Sequence, residues 1–314
     1  MTNKTRRRYC IRNWRDYNKA LVARGSLTLW VEGRSLRAWR NTPAPARRGQ
    51  RRTYTDAAIA CALTLREVYG LPLRSTQGLV SSVLRLPGAG LPAPHYSTLS
   101  RRAAALEVKL PRLSKGPLHL AVDSTGLKLY GEGEWKVRLH GADKRRTWRK
   151  LHLCIDHRTQ EAVACSMTEQ YVLDRRELPG LLKGAEGEVA EVLGDGAYDF
   201  QDCYRAIHER GARSVIPPKQ RARVRGGPEF TGRDAAVPRG REVGRDEWKE
   251  EAGYHRRSLA ETAMMRLKTI FSDRLKAREW RRQEAELRVR CAALNRMTAL
   301  GCRRVTPSEQ SADG

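Results

Sequence analysis

The chain has 314 residues, enough for two or three domains with a sizeable core. Hydrophobic residues make up 40% of it and no run of 18 apolar residues occurs, which indicates a folded protein and excludes a membrane-spanning helix. The 61 Lys and Arg against 35 Asp and Glu leave a formal charge of +26, and a positive field of that size favours a polyanionic partner, most simply nucleic acid.

Drift towards Arg in a GC-rich genome would explain the choice of Arg over Lys, but not the excess of positive over negative charge. The start, "MTNKTRRRYC", lacks the apolar centre of a secretory signal, so the expected location is the cytoplasm. Cys10, Cys61, Cys154, Cys165, Cys203, Cys291 and Cys302 form no C-x-x-C pair and are odd in number. They read as reduced thiols, neither zinc ligands nor a disulfide framework. The histidines show no ligand spacing and none is assigned.

In chain order, "RNWRDYNKALVARGSLTLW" predicts a short helix ending near Gly25 and then a β-rich run. Residues 40–52 read as a basic linker, so residues 1–52 form an N-terminal basic segment and linker. From Thr53 the pattern turns helical. One helix begins at the capping residues Thr55 and Asp56 and stops at Gly70, and a second follows in "LRSTQGLVSSVLRL". A third, in "HYSTLSRRAAAL", carries Ser100, Arg101 and Arg102. Residues 53–110 therefore read as a helix-turn-helix-like DNA-binding region, although the turn is longer than that motif expects. A plain three-helix bundle is the other reading.

After Pro111 the pattern changes to strands: "LHLAVD" ending at Asp123, "WKVRLHG", "KLHLCID" and "EAVACSMT" around the turn "HRTQ", "VAEVLGDGAYD" ending near Asp195, and "RSVIPP". Helices are predicted in "LDRRELPGLL", capped by Asp174 with Glu177 at its third position, and in "FQDCYRAIHERGA". Asp156 reads as a hairpin-turn residue and Asp199 as the start of a helix. Residues 218–250 look like a partly irregular insertion. A helix with Glu261 and a long helical run in "RRQEAELRVRCAALNRMTAL" complete a domain over 111–302, and 303–314 reads as a disordered tail.

Two carboxylates, Asp123 and Asp195, each follow an apolar run and precede small residues, in the position where ligands collect at strand ends. Glu261 is a lone acid in the basic stretch "YHRRSLAETAMMRLK". At about 100° per residue, Tyr254, Arg257, Glu261 and Lys268 fall on one helix face, and Leu259, Ala263, Leu267 and Ile270 on another, the face expected to be buried. A competing reading makes Ser258 and Glu261 a capping box, with Tyr254 and Arg257 lying before the helix. Three acids brought together repel by about 4 kcal/mol per pair at ~4 Å and an effective dielectric near 20. Such a site wants hard divalent cations, Mg²⁺ or Mn²⁺, and a pair of them can hold both the attacking and the leaving oxygen of a phosphodiester.

The order of elements, with acids on an early strand, a later strand and a late helix, resembles the ribonuclease H-like, retroviral-integrase-like fold of DDE transposases. That fold is an α/β mixed sheet flanked by helices, here with an N-terminal helical DNA-binding region. Tyr254, Arg257, Glu261 and Lys268 fit the signature Y-x2-R-x3-E-x6-K of bacterial insertion-sequence transposases at every position. "HYSTLSRR", "VDSTGLKLYGEGEWKVRLHG", "RRTWRKLHLCID", "GDGAYD" and "CAALNRMT" resemble the family numbered five among insertion sequences, and residues 224–240 depart from it most.

The resemblance implies that Asp123, Asp195 and Glu261 are catalytic and hold two Mg²⁺ ions, for which Mn²⁺ may substitute. Tyr254, Arg257 and Lys268 would contact the DNA backbone, with further contacts from Ser100, Arg101, Arg102 and the Lys150 of "KRRTWRK", a tract that could equally be a solvated basic hairpin. The implied partners are double-stranded DNA, both terminal inverted repeats and target, and a second copy of the chain in a homodimer or larger synaptic complex. The location would be the bacterial cytoplasm, at the nucleoid. A relative that binds DNA without cutting it, and a general ribonuclease H-like nuclease, are the alternatives.

Overall fold

The structure is a computed structural model and describes residues 9–11, 13–31, 33–41, 53–86, 90–110, 112, 115–129, 148–302 and 305–307. Alternating apolar runs become six strands of one sheet: β2 (Leu118–Leu129), β3 (Trp148–Asp156), β4 (Glu161–Glu169), β5 (Val189–Leu193), β6 (Arg213–Val215) and the two-residue β7 (Arg274–Leu275). The order is β4-β3-β2-β5-β6, with β7 also against β2. β2, β3 and β4 are antiparallel neighbours, while β5 runs parallel to β2 and β6 parallel to β5. This is the mixed sheet expected from the sequence. The expected strand at 135–141, most of the linker at 42–52 and residues 144–147 of the basic tract lie outside the described residues.

The period of two in each strand divides the core. Leu118, Leu120 and Val122 of β2 pack on one face with α7 (Leu178–Gly184) and α8 (Gln201–Glu209). Ala121 and Leu127 face the other way, with Leu151, Leu153 and Ile155 of β3. On that side lie α11 (Ser258–Phe271) and α12 (Trp280–Leu300). The buried stripe of α11 is Ala260, Ala263, Met264, Leu267 and Phe271; the expected Leu259 and Ile270 are only partly buried. Burying Leu267 and Phe271 contributes roughly 1.5–3 kcal/mol each, which fixes the face that α11 turns to the sheet.

The second core is shared with the N-terminal helices α2 (Leu27–Trp30), α3 (Gly33–Arg37), α4 (Asp56–Val68), α5 (Leu73–Arg85) and α6 (Tyr96–Ala103), while α1 (Trp14–Arg24) packs against α12. Thr55 caps α4 by accepting the Ala58 N–H at 3.1 Å. Arg290 of α12, fully buried, pairs with Glu67 of α4 at 2.8 Å and with Glu286, and donates to the Arg274 carbonyl. One guanidinium thus ties the helical region, α12 and β7 together. Asn295 of α12 both donates to and accepts from the backbone of Ala162, each at 2.8 Å, beside the register shift between β3 and β4.

Several expectations are corrected. The run after Gly25, expected to be β-rich, is the short helix α2, because a helical turn lets Trp30 bury its ring and donate its indole N–H to the Arg24 carbonyl at 2.9 Å. Residues 218–250 are partly irregular, as expected, over 218–227, and then a 3-10 turn at Pro228–Phe230 leads into α9 (Thr231–Glu242) and α10 (Arg245–Glu251), despite Pro238 inside α9. Within the expected tail only residues 305–307 are described, and there β8 (Val305–Pro307) pairs antiparallel with β1 (Tyr9–Ile11). The helix expected to start at a capping Asp174 is split: Asp174–Arg176 is a 3-10 turn and α7 starts at Leu178, with Pro179 in its first turn.

Candidate active site

β2 does not end at Asp123, as expected, but continues to Leu129, because its pairing with β3 extends from Leu120↔Asp156 to Lys128↔Trp148. What ends there is β5, whose pairing with β2 stops at Ala121↔Leu193. Asp123 lies two residues further on, in the crevice that the departure of β5 opens, with Asp195 at the chain's exit from β5.

Each acid is held by its own local structure. Asp123 accepts the Ser124 N–H at 2.8 Å and the Arg257 guanidinium at 2.9 Å. Asp195 caps the 3-10 turn Gly196–Tyr198 by accepting the Ala197 N–H at 2.9 Å. Gly194 precedes it because the Tyr198 ring packs directly on that backbone: a Cβ there would sit 3.0 Å from the ring. Glu261 lies in the first turn of α11, half exposed, and accepts from Arg257. Burial holds the Asp123 pKa above the usual carboxylate range; the Ser124 N–H and Arg257 oppose that, and the negative charges of Asp195 and Glu261 add to it. The three acids therefore share one electrostatic environment.

Tyr254 and Arg257 lie in a 3-10 turn, Tyr254–Arg257, immediately before α11. The capping box does not form. Ser258 is the first residue of α11 and donates to the His255 carbonyl at 2.8 Å, and the helix start has no side-chain cap. Yet the signature residues still converge. Arg257 spans Asp123 and Glu261, and the Tyr254 ring lies 5.8 Å from its guanidinium carbon. Burial raises the Tyr254 pKa, with Arg257 opposing and Asp195 adding to the rise. Lys268, two turns along α11, donates to Thr125 at 2.6 Å, and Thr125 is the next residue after Asp123 on that face of β2.

Among the described residues, the structure shows no hydrogen bond or ion pair between the other sequence candidates and the three acids. Arg102 donates to the Tyr54 carbonyl at 2.8 Å and pairs with Asp56, bracing the start of α4. Ser100 faces a cavity of about 230 Å³ between α4, α6 and α12, and Arg101 is exposed. Lys150 is engaged by the Val172 carbonyl at 2.7 Å and by Asp174 at 3.1 Å, which accounts for Asp174. Asp156 accepts the Arg158 N–H in the β3–β4 turn, as expected.

Two clusters escaped the sequence reading. Glu191, a charge inside the apolar run of β5, accepts from His119 at 2.9 Å, His157 at 3.0 Å and Arg256 at 2.9 Å. Its place in "VAEVL" was the available signal. His119, His157 and Glu191 bring ligand atoms within 4.8 Å of one another, the one group of metal-ligand type among the described residues that does so. Arg256 on Glu191 already offsets the group's one carboxylate, and Arg158 lies 3.3 Å from His119. Asp199 is also buried, and takes Arg233 at 2.8 Å, the Lys219 N–H at 2.9 Å and the Tyr204 hydroxyl at 3.0 Å. It anchors the 218–250 segment beside Asp195.

A mixed sheet of this order, flanked by helices and carrying acids beside the end of β5 and on a following helix, is of the ribonuclease H-like fold class. Two family models described as transposase DDE domain match the chain, one over residues 22–132 and the other over 114–296. The chain belongs to the DDE transposase family. It is accordingly a metal-dependent, DNA-cleaving enzyme that binds DNA. The donors fit the metal this implies, since carboxylate oxygens around a partly buried, mutually repelling group suit a hard divalent ion. Among the described residues, no helix is long and apolar enough to cross a membrane.

Proposed function

We propose that the protein binds the terminal inverted repeats of an insertion sequence, cuts at the element ends and joins the freed 3′ hydroxyls to target DNA. Asp123, Asp195 and Glu261 are the acids of this reaction and hold two Mg²⁺ ions, for which Mn²⁺ may substitute. When bound, the ions neutralise charge on the phosphodiester as it is attacked in line, first by water and then by the DNA 3′ hydroxyl. Tyr254, Arg257 and Lys268 grip the DNA backbone near the cut, and the helical region at 53–110, with Ser100 and Arg101 on α6, reads the repeat. Arg102 and Lys150, which pair with Asp56 and Asp174 in the DNA-free protein, are further DNA contacts in this reading. The fit of Tyr254, Arg257, Glu261 and Lys268 to the signature supports membership of the insertion-sequence family numbered five. Two ends must be joined, so the working form is a homodimer or larger synaptic complex.

The observation that carries this reading is the bridge from Arg257 to both Asp123 and Glu261, which joins acids far apart in sequence at the β5 exit. The test is incubation of the full chain with labelled linear DNA bearing the repeats that flank its gene, with Mg²⁺ or EDTA, beside Asp123→Ala, Asp195→Ala and Glu261→Ala. Metal-dependent nicks at the repeat boundary, lost in each variant while end binding persists, are expected. Specific binding with no nicks would reduce the protein to a DNA-binding relative, and cutting without regard to the repeat would make it a general nuclease.

A further inference from the structure

Three acids at one crevice pose a problem for the protein before any cation arrives. Like charges repel, and Asp123, whose side chain is 18% exposed, is little relieved by water. Arg257 meets it here. Its guanidinium donates to Asp123 Oδ2 at 2.9 Å and also to Glu261 Oε1. Asp123, Asp195 and Glu261 are not among the residue groups whose ligand atoms all approach within 4.8 Å, unlike His119, His157 and Glu191. Arg257 therefore takes up the negative charge that a divalent ion would use.

The two adjacent arginines are held in different ways. Arg256 donates to Glu191 through both terminal nitrogens, at 2.9 and 3.4 Å, and to the Gly253 carbonyl at 2.9 Å. Gly253 itself has φ of +67°, and a Cβ there would lie 2.5 Å from the Arg256 guanidinium. The turn is thus pinned to β5 through Arg256. Arg257 has Asp123 on its buried side, the Tyr254 ring 5.8 Å from its guanidinium carbon, and a half-exposed partner, Glu261, whose side chain is 54% exposed. A pair open to water to that extent is weak. A DNA phosphate offers a guanidinium the same two-oxygen geometry as a carboxylate, so Arg257 can change partner by side-chain rotation while Arg256 keeps the turn in place.

We propose that Arg257 is a displaceable counter-ion: without DNA it occupies the charge of Asp123 and Glu261 and opposes divalent-ion binding there, and a DNA phosphate draws it off and frees both carboxylates. Metal loading is then coupled to DNA binding, and the coupling is reciprocal: DNA tightens metal binding by the same factor as metal tightens DNA binding. This rests on the reading that Asp123, Asp195 and Glu261 hold the metal.

The test is a titration of the full chain with Mn²⁺, following free Mn²⁺ by electron paramagnetic resonance. It uses wild type, Arg257→Gln, Arg257→Lys and Asp123→Asn, each alone and with a duplex that ends at the repeat boundary and so leaves nothing to cut. Without DNA, Arg257→Gln should bind Mn²⁺ roughly tenfold more tightly than wild type, within the range of ~5- to 150-fold for couplings of this kind. Arg257→Lys, which keeps the charge, should stay near wild type. The duplex should tighten Mn²⁺ binding in wild type and leave Arg257→Gln almost unchanged, after subtraction of Mn²⁺ bound by the duplex itself.

Equal or weaker Mn²⁺ binding by Arg257→Gln, or equal tightening of wild type and Arg257→Gln by the duplex, would overturn the counter-ion role. Asp123→Asn separates the two levels. If it binds Mn²⁺ as well as wild type, the metal assignment fails and the inference with it. If it loses Mn²⁺ while Arg257→Gln gains nothing, the metal site stands and only the inference falls.

Discussion

Replacing Asp199 by Ala should loosen the segment that covers the exit of β5. Its side chain is 1% exposed and accepts from Arg233, 3% exposed, from the Lys219 N–H and from the Tyr204 hydroxyl. Removing the carboxylate strands a buried guanidinium, which costs about 3–5 kcal/mol for such pairs. Arg233 keeps the Arg223 carbonyl at 2.8 Å and Asp234 at 3.3 Å, so the lower end, ~3 kcal/mol, is expected. At ~1.4 kcal/mol per tenfold, that is roughly a 100-fold larger open population if α9 lifts locally. Limited trypsin digestion should nick Arg221, Arg223 and Arg225 faster by about that factor, and guanidinium unfolding should report the loss if the opening is global. Asp199→Leu with Arg233→Met removes both charges and should recover most of the stability. A loss below ~1 kcal/mol with unchanged nicking, or a double variant as unstable as the single one, would refute the reasoning. Burial alone would raise the Asp199 pKa, but Arg233 and the Lys219 N–H outweigh it and the net shift is downward. A depressed folded pKa contributes stability that is present above the unfolded value, about 3.9, and lost as pH falls through the folded one. Wild type and Asp199→Ala should therefore converge in stability in strong acid.

Gly194→Ala should push the Tyr198 ring away and displace Asp195, costing about 1–3 kcal/mol of stability and lowering cleavage more than DNA binding; unchanged cleavage would show that the turn tolerates the contact. Arg290→Met should cost about 3–5 kcal/mol at neutral pH, because Glu67 and Glu286 remain buried. Burial, then the charge of Glu67, already raises the Glu286 pKa, so protonation relieves the variant and its deficit in thermal unfolding should shrink as pH falls below neutral. Arg256→Ala should free the turn at 254–257 and reduce cleavage about 10- to 100-fold by misplacing Arg257 and Glu261, with DNA affinity changing much less; a matched fall in both would make Arg256 a DNA contact instead.

Much of the site was legible in the chain because its signals are local. Asp123 and Asp195 stand out where apolar alternation gives way to small residues, and the spacing of Tyr254, Arg257, Glu261 and Lys268 is a helical spacing. That spacing held although Tyr254 and Arg257 belong to a 3-10 turn, since a tighter turn leading into a helix keeps these side chains on nearly the same side. Helix ends marked by Thr55 and Gly25 were readable for the same reason: a cap satisfies backbone groups only a few residues away.

Partnership was not local. "STGLKL" after Asp123 has the composition of a loop, and only the register with β3 makes it strand. Lys150 and Arg102 read as DNA contacts in the sequence, and the structure adds their pairing with Asp174 and Asp56 from other segments. Gly, Pro and charge make 218–250 look partly irregular, yet buried Arg233 finds Asp199 and the part after 227 folds into helices around that pair. The sequence by itself determined which faces are apolar, where most helices begin and end, and which acids stand out, because those depend on neighbours along the chain. Which cation meets which carboxylate, and so that Arg257 closes on Asp123 and Glu261 while Arg256 locks onto Glu191, was decided only by the tertiary structure, since charges attract across space without regard to their separation in sequence.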